Sequence, residues 1–420
     1  MTPDLLIFYE APPRLSGGSI LAGKELKALA EVSGGNLDAD LVCASARDEV
    51  PADPNLESLL PDTVMIHRID PIPRGRKTLL QRIVGGQGGW QQAAISKAAA
   101  LFPAEHKKPA LIYSRSHPPA SHLAALELLD GPLQGVPWVA QFTEPWSQNP
   151  YYKSHMTRAA LGRYEIRIYE SATRLVFPCE AMRDMMLANA SEAVREKARV
   201  VSPVYDPSLY GKAGLPVGYP PARSGVSTIT HVGLLSKLRS PAPLYEGLAK
   251  LNAQHPELSS KIAVNLVGRI EELDLELMSR AYRVTTPVRH MPSVPYFESL
   301  TAMQASDVLL IVEAPVSKSV FYSGKFMDYL GARKPILAIT PKDSFTATLM
   351  DEWQQPWCDV TDPNAIAAVL KRIATHDAWA PPRQEILESY LPQKVGRQMA
   401  GLLADVRKDY SSDPISDSPE

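Results

Sequence analysis

Ten short apolar runs, spread over both halves of the chain and separated by helix-length stretches, set the strongest limit on how this sequence can fold. In the first half they fall at 5–9, 40–45 (Asp40-Leu-Val-Cys-Ala-Ser45), 64–69, 110–114, 138–142 and 174–178; in the second, at 228–233, 261–267, 307–312 and 335–340. Each run is nearly continuous instead of alternating. That is the pattern of strands covered on both faces, as in a parallel sheet. Strand-helix-strand order repeated in each half predicts an α/β chain with two Rossmann-like, doubly wound domains.

The boundaries follow from composition. Residues 1–205 form the expected N-terminal domain and 226–392 the second. Between them, 206–225 is rich in Pro and Gly, has no period and reads as a linker. A helix is expected over 393–410, possibly returning to the N-terminal domain, followed by an acidic, disordered tail at 411–420. The 420 residues suffice for two to three domains, and 45% hydrophobic with 21% charged residues is an ordinary globular balance. With 44 basic against 46 acidic residues, the formal charge of −2 gives no global pull toward nucleic acid. Cys43, Cys179 and Cys358 are odd in number and far apart, with neither zinc spacing nor a disulfide framework. No signal-type core opens the chain, and no apolar run nears the ~20 residues that span a bilayer. The expectation is a soluble or peripheral protein of the cytoplasm.

In open α/β sheets, ligands collect beyond the C-terminal ends of the strands. After the first run comes Glu10-Ala-Pro-Pro-Arg14-Leu-Ser16-Gly17-Gly18-Ser19, where Gly17 and Gly18 either let helix amides approach an anion or simply make a turn. His117, just past the fourth run, either bonds a sugar hydroxyl or leaving phosphate or is merely solvated. Glu144, before Pro145-Trp146, either binds an acceptor hydroxyl or pairs with an arginine. Glu180 reads as a helix N-terminal acid favoured by the macrodipole. In the second half, Lys237 and Arg239 precede a helix and either suit a diphosphate, Arg as a planar fork and Lys as a point charge, or form a solvated basic turn. Ser323-Gly324-Lys325 offers a hydroxyl, free amides and a cation before another helix, again suited to phosphate. Asp328 lies one turn further on the same face, within reach of a ribose diol, while Phe326, Met327 and Leu330 are expected in the core.

Together these landmarks resemble the retaining GT-B glycosyltransferases of family 4, over nearly the whole chain and in the right order. Ser323-Gly-Lys-Phe-Met-Asp328-Tyr-Leu-Gly-Ala-Arg-Lys-Pro335-Ile-Leu-Ala is similar to that family's donor-site helix. Gly233 through Pro241 is similar to its glycine loop and basic pair. Ser116-His117-Pro118-Pro119 and Thr143-Glu144-Pro145-Trp146 are similar to its N-terminal loops. The resemblance implies two Rossmann-like domains facing across a cleft, with diphosphate binding by Lys237, Arg239, Ser323, Gly324 and Lys325. It implies approach of Gly17 and Gly18 to the phosphates, ribose binding by Asp328, and a nucleobase near Val294 and Pro295. His117 and Glu144 become the catalytic candidates, with no nucleophile named. Two positions depart from the family pattern: Val320 stands where it has the first of two carboxylates, and Asp328 replaces the second, a glutamate.

The expected activity is therefore metal-independent, hexosyltransferase-type transfer from a nucleoside diphosphate sugar, without a cofactor, to a saccharide or lipid-linked acceptor in surface polysaccharide or glycolipid assembly. Arg68, Arg74, Arg76, Lys77 and Arg82, interleaved with Leu79, Leu80 and Ile83 and followed by Gly85–Trp90, form either a basic face touching an anionic membrane or a solvated loop. A nucleotide-sugar epimerase and a non-catalytic sugar-nucleotide binder are the competing readings.

Overall fold

A computed structural model of the chain describes residues 2–46, 51–70, 88–103, 107–152 and 154–412. The chain divides into two compact units, Met1–Val204 with Leu391–Glu420, and Tyr205–Tyr390.

The first unit is built on seven parallel strands: β1 (Asp4–Phe8), β2 (Ala39–Ala44), β3 (Val64–Ile69), β4 (Ile112–Ser116), β5 (Trp138–Phe142), β6 (Arg174–Phe177) and β7 (Ala198–Val200). Their order is β3-β2-β1-β4-β5-β6-β7, so the chain winds outward from β1 on one side and restarts at β4 on the other. The crevice beyond β1 and β4 is thus this sheet's switch point. Apolar runs make these strands central: Leu5, Leu6 and Ile7 are almost completely buried.

The unit is completed from the far end of the chain. In the helix Pro392–Ser412, Val395, Met399, Leu403 and Val406 share one face and enter the core beside Leu26 and Leu29 of the helix Gly17–Val32. Gly396 permits the close approach, because a Cβ there would lie 2.9 Å from the Ala28 carbonyl oxygen. Arg407 Nε donates to Asp4 Oδ1 at 3.1 Å, and Nη2 to Oδ2, tying the helix to β1. Helix continues through Ser411 and Ser412, residues expected in the disordered tail; 413–420 lie outside the described residues.

The second unit contains β8 (Ser227–Val232), β9 (Leu235–Ser236), β10 (Ile262–Val267), β11 (Ile270–Glu271), β12 (Val288–Met291), β13 (Val308–Val312), β14 (Ile336–Thr340) and β15 (Trp357–Asp359). Six form a parallel sheet in the order β12-β10-β8-β13-β14-β15, and β9 pairs with β11 apart from it. Here the switch point is between β8 and β13. These strands pair only at Ile229 with Val308 and Thr230 with Leu309, so they separate toward their C-terminal ends.

Residues 206–225, expected as a linker, belong to this unit. The Tyr210 hydroxyl donates to the Asp328 carbonyl at 2.7 Å, and the Tyr219 hydroxyl to the Ala302 carbonyl at 3.1 Å. Apart from one short 3-10 turn at Pro207–Leu209, side-chain anchors hold the stretch, which is why it shows no hydrophobic period. No described helix is long and apolar enough to cross a membrane.

Candidate functional site

At the switch point of the second unit, β8 ends in Gly233 with φ 129°, and β10 ends in Gly268 with φ 132°. Both conformations favour glycine. The two turns also abut: a Cβ on Gly268 would lie 2.4 Å from the Gly233 carbonyl oxygen. A Cβ on Gly233 would in turn lie 2.4 Å from Lys325 Cε and 2.9 Å from its Nζ. Lys325 therefore occupies the space that a side chain at position 233 would take. It opens the helix Lys325–Ala332, whose N-terminus has no side-chain cap. Uncapped first-turn amides and the helix dipole favour an anion at that point.

Burial first, then the neighbouring Arg239 charge, pull the Lys325 ammonium down to about 7, against the opposing pull of Glu313 and Asp328. Neither carboxylate forms an ion pair with it; both hydrogen-bond to hydroxyls instead. Glu313 accepts from the hydroxyls of Thr340 at 2.6 Å and Thr346 at 2.7 Å. Asp328 Oδ1 accepts from the Tyr296 hydroxyl at 2.7 Å. Among the described residues Lys325 has no hydrogen-bond or ion-pair partner, and neither does the half-buried Arg239 guanidinium. Arg239 closes a tight turn in which Ser236 N–H donates to its carbonyl at 3.2 Å. Beneath the site, the Tyr329 hydroxyl accepts from Val232 N–H and donates to the Leu310 carbonyl, both at 3.0 Å, bridging β8 and β13 where they part. The product is a crevice with two neighbouring cations and no carboxylate in ion-pair contact with either among the described residues, an arrangement suited to a multiply charged anion.

The switch point of the first unit is filled differently. Glu10 follows β1, and its Oε2 would lie 1.8 Å from a Cβ on Gly18, in the first turn of the helix Gly17–Val32. The chain thus supplies its own carboxylate to that helix N-terminus. Burial pushes the Glu10 carboxyl up, while Arg14, His117, the Ser16 hydroxyl and Arg115 act to hold it down. Arg115 Nη1 donates to the Gly18 carbonyl at 2.9 Å and its Nε to Gln141 Oε1 at 3.1 Å, fixing the glycine turn to β4 and β5. His117 lies beyond β4, its backbone N–H donating to Thr143 Oγ1 at 2.6 Å and its Nδ1 buried without a partner among the described residues.

Of the residues picked from sequence, Gly324, Lys325 and Arg239 come together, with Ser323 half-buried at the same helix head. Lys237 does not join them: it is 69% exposed and pairs with Glu272 at 3.2 Å. Gly18 meets Glu10, a carboxylate that repels a second anion, whereas Gly17 borders open space. Asp328 is held by Tyr296, which follows Val294 and Pro295 at the head of the helix Tyr296–Gln304. Glu144 is half-buried near Tyr152, whose hydroxyl it helps to push up after burial. Glu180 is exposed at the first position of the helix Glu180–Met186, and Phe326, Met327 and Leu330 are fully buried. Val320 is buried as well. In the basic stretch, Arg68 is engaged by Glu57 at 2.9 Å, and Trp90 is buried edge-on to Tyr9. Arg74, Arg76, Lys77, Leu79, Leu80, Arg82, Ile83 and Gly85 lie outside the described residues.

Sequence reasoning assigned no role to Glu10, Tyr296 or Tyr329. Their hydroxyl and carboxylate contacts reach across strands and helices, and the only local signal was position near a strand end or inside the donor-helix motif.

Residues 28–203 match the family described as "Glycosyl transferase 4-like domain". No curated protein sequence matches the chain. Among solved structures, the chain is similar to an α,α-trehalose-phosphate synthase (UDP-forming) from Burkholderia vietnamiensis, at 11% identity, covering 98% of each chain with a TM-score of 0.66. It is similar to an E. coli trehalose-6-phosphate protein bound with UDP-2-fluoro glucose, at 12% identity, 98% of each chain and a TM-score of 0.62. The lipopolysaccharide outer core galactosyltransferase WaaB is a third, at 11% identity, 96% of this chain, 99% of that one and a TM-score of 0.60. The chain therefore has the GT-B fold, built of two Rossmann-like domains, and matches the glycosyl transferase 4-like domain over residues 28–203.

Proposed function

We propose that the protein transfers a sugar from a nucleoside diphosphate sugar to an acceptor hydroxyl, with the diphosphate held by Lys325, Arg239 and the amides at Gly324 and Lys325 instead of a metal. The observation that carries this reading is the Lys325 ammonium packed over Gly233, beside Arg239 and without a carboxylate partner. Breaking the bond from the anomeric carbon to the phosphate oxygen leaves negative charge on the departing diphosphate. Fixed donors aimed there lower the barrier, each worth roughly 10²–10³ in rate. The acceptor oxygen forms the new bond to that carbon, with configuration retained.

On the acceptor side we place Glu10 and His117, with Glu144 as the further carboxylate. An uncharged saccharide hydroxyl suits a helix head that a carboxylate already fills. A lipid-linked or polysaccharide acceptor at the inner face of the cell membrane is part of this proposal. The galactosyltransferase of the lipopolysaccharide outer core and the structure bound with UDP-2-fluoro glucose make a sugar nucleotide the donor class to try first.

A thermal-shift panel of UDP, ADP, GDP and their sugars tests the reading. A true donor at ~100 times its dissociation constant adds about 2.7 kcal/mol of stability. Arg239→Ala and Lys325→Ala each shrink the response. No stabilisation by any nucleoside diphosphate would overturn the reading. Turnover of the donor without an acceptor, to an epimer, would move the protein to the epimerase class.

A further inference from the structure

His231, on β8, is completely buried, and its two ring nitrogens have different fates. Nδ1 donates to the Leu310 carbonyl at 3.0 Å, which fixes the tautomer and leaves Nε2 as a bare acceptor. Nε2 is buried and has no partner among the described residues. Two residues further on is Gly233, where Lys325 lies across the missing side chain. The charged groups around the ring come from several elements. Lys325 opens the helix Lys325–Ala332 and Arg239 closes the Ser236–Arg239 turn; Glu313 and Asp328 act on Lys325; the Tyr329 hydroxyl shares the Leu310 carbonyl. Burial first, then the positive charge of Lys325, and last that of Arg239, hold the ring well below the ordinary histidine range, against the bond to Leu310. In the free protein it is neutral.

A buried acceptor in the field of two cations has nothing to offer an anion until it carries a proton. We propose that His231 is a proton-coupled phosphate sensor: when a diphosphate neutralises Lys325 and Arg239, Nε2 takes a proton from solvent and donates it in a hydrogen bond to a phosphate oxygen. This rests on the diphosphate assignment above and adds a residue and a regulation to it. The proton comes from water or buffer, no covalent bond to the ligand forms, and release of the diphosphate returns the proton. Donor grip then strengthens as pH falls, and product release becomes linked to deprotonation. Because a bound anion raises the affinity of this ring for its proton, the contribution is present below the ring's ionisation in the complex. It is lost as pH rises through that point.

The test uses the full chain and UDP, with ADP and GDP run in parallel. Affinities of wild type and His231→Asn are measured by titration calorimetry from pH 6 to pH 8, in two buffers of different ionisation enthalpy. Titration of the ligand and of Lys325 is common to both proteins and cancels in their ratio. The expected result is uptake of up to about one more proton by wild type at low pH, and a wild-type advantage roughly tenfold larger at pH 6 than at pH 8. Nitrogen-15 NMR of the wild-type ring supplies a second readout, needed if His231→Asn fails to fold: Nε2 bare in the free protein and protonated in the complex. Binding with equal proton uptake in both proteins, or a ring that stays neutral in the complex at pH 6, overturns this inference and leaves the diphosphate site standing. No binding of any of the three nucleotides overturns both.

Discussion

The two units solve the same geometric problem with opposite charge. Each sheet reverses its winding once, each leaves a crevice at that reversal, and each sends a glycine turn and a helix head into it. In the first unit the chain answers its own helix dipole with Glu10, and Arg115 ties the glycine turn down. In the second, Lys325 and Arg239 stand together without an ion-pair partner among the described residues, and the nearby carboxylates hydrogen-bond to Thr340, Thr346 and Tyr296. A Rossmann-like switch point is therefore not by itself a phosphate site. What decides is whether the chain has already supplied the negative charge.

The largest effect should come from the glycines that shape the cationic crevice. Gly268→Ala places a Cβ 2.4 Å from the Gly233 carbonyl oxygen at φ 132°, a clash with backbone. We expect a loss of about 3 kcal/mol or more, seen as a melting temperature lower by roughly 6–12 °C. Gly17→Ala, at the matching turn of the first unit, meets nothing within 4 Å and should stay within about 0.5 kcal/mol of wild type.

Next comes the charge itself. Lys325→Met should weaken nucleoside diphosphate binding by roughly 10–150-fold, the worth of one charge-assisted hydrogen bond. The same variant should melt higher than wild type at pH 6, because it removes a half-buried cation whose charged form burial disfavours. The sign follows from the lowered ionisation: the cost of the ammonium is full below about 7 and fades toward the ordinary lysine range, so the advantage narrows by pH 9. Lys325→Arg, permanently charged, should bind with a flatter pH dependence between pH 7 and 9 than wild type.

A smaller effect is expected at Glu10. Its carboxyl is pushed up by burial, so its charged form costs nothing below the ordinary carboxyl range and costs in full above the raised ionisation. Glu10→Gln should melt a few degrees higher at pH 8, match wild type at pH 4, and change nucleotide affinity less than about twofold. Lys237→Ala should do least. Its pairing with Glu272 is exposed, and such pairs contribute about 0–1 kcal/mol, so affinity measured by calorimetry should shift less than about threefold.

How much of this was legible depended on whether a contact was local. The strands buried on both faces, such as Leu5-Leu6-Ile7 and Val308–Val312, announced themselves as apolar runs. The short edge strands did not: Arg199 in β7, Arg289 and His290 in β12, and Asp359 in β15 face solvent or half-face it and break the pattern. The helix head at Ser323-Gly324-Lys325 was readable because its chemistry is contiguous. The return of Glu10 onto Gly18, eight positions later, carried no period or propensity. Neither did the capture of Tyr210 and Tyr219 by the second unit, so 206–225 read as a linker. Lys237 and Arg239 looked equivalent in sequence, yet a tight turn sends one to Glu272 and keeps the other beside Lys325.

The most direct test of the division of charge is a crystal structure of the chain with whichever of UDP, ADP or GDP binds best. The diphosphate should lie over Gly233, with a phosphate oxygen about 2.8 Å from Lys325 Nζ and others on Arg239 and the amides at the head of Lys325–Ala332. Phosphates seated on Gly17 and Gly18 with Glu10 displaced, and Lys325 left out of contact, would contradict it.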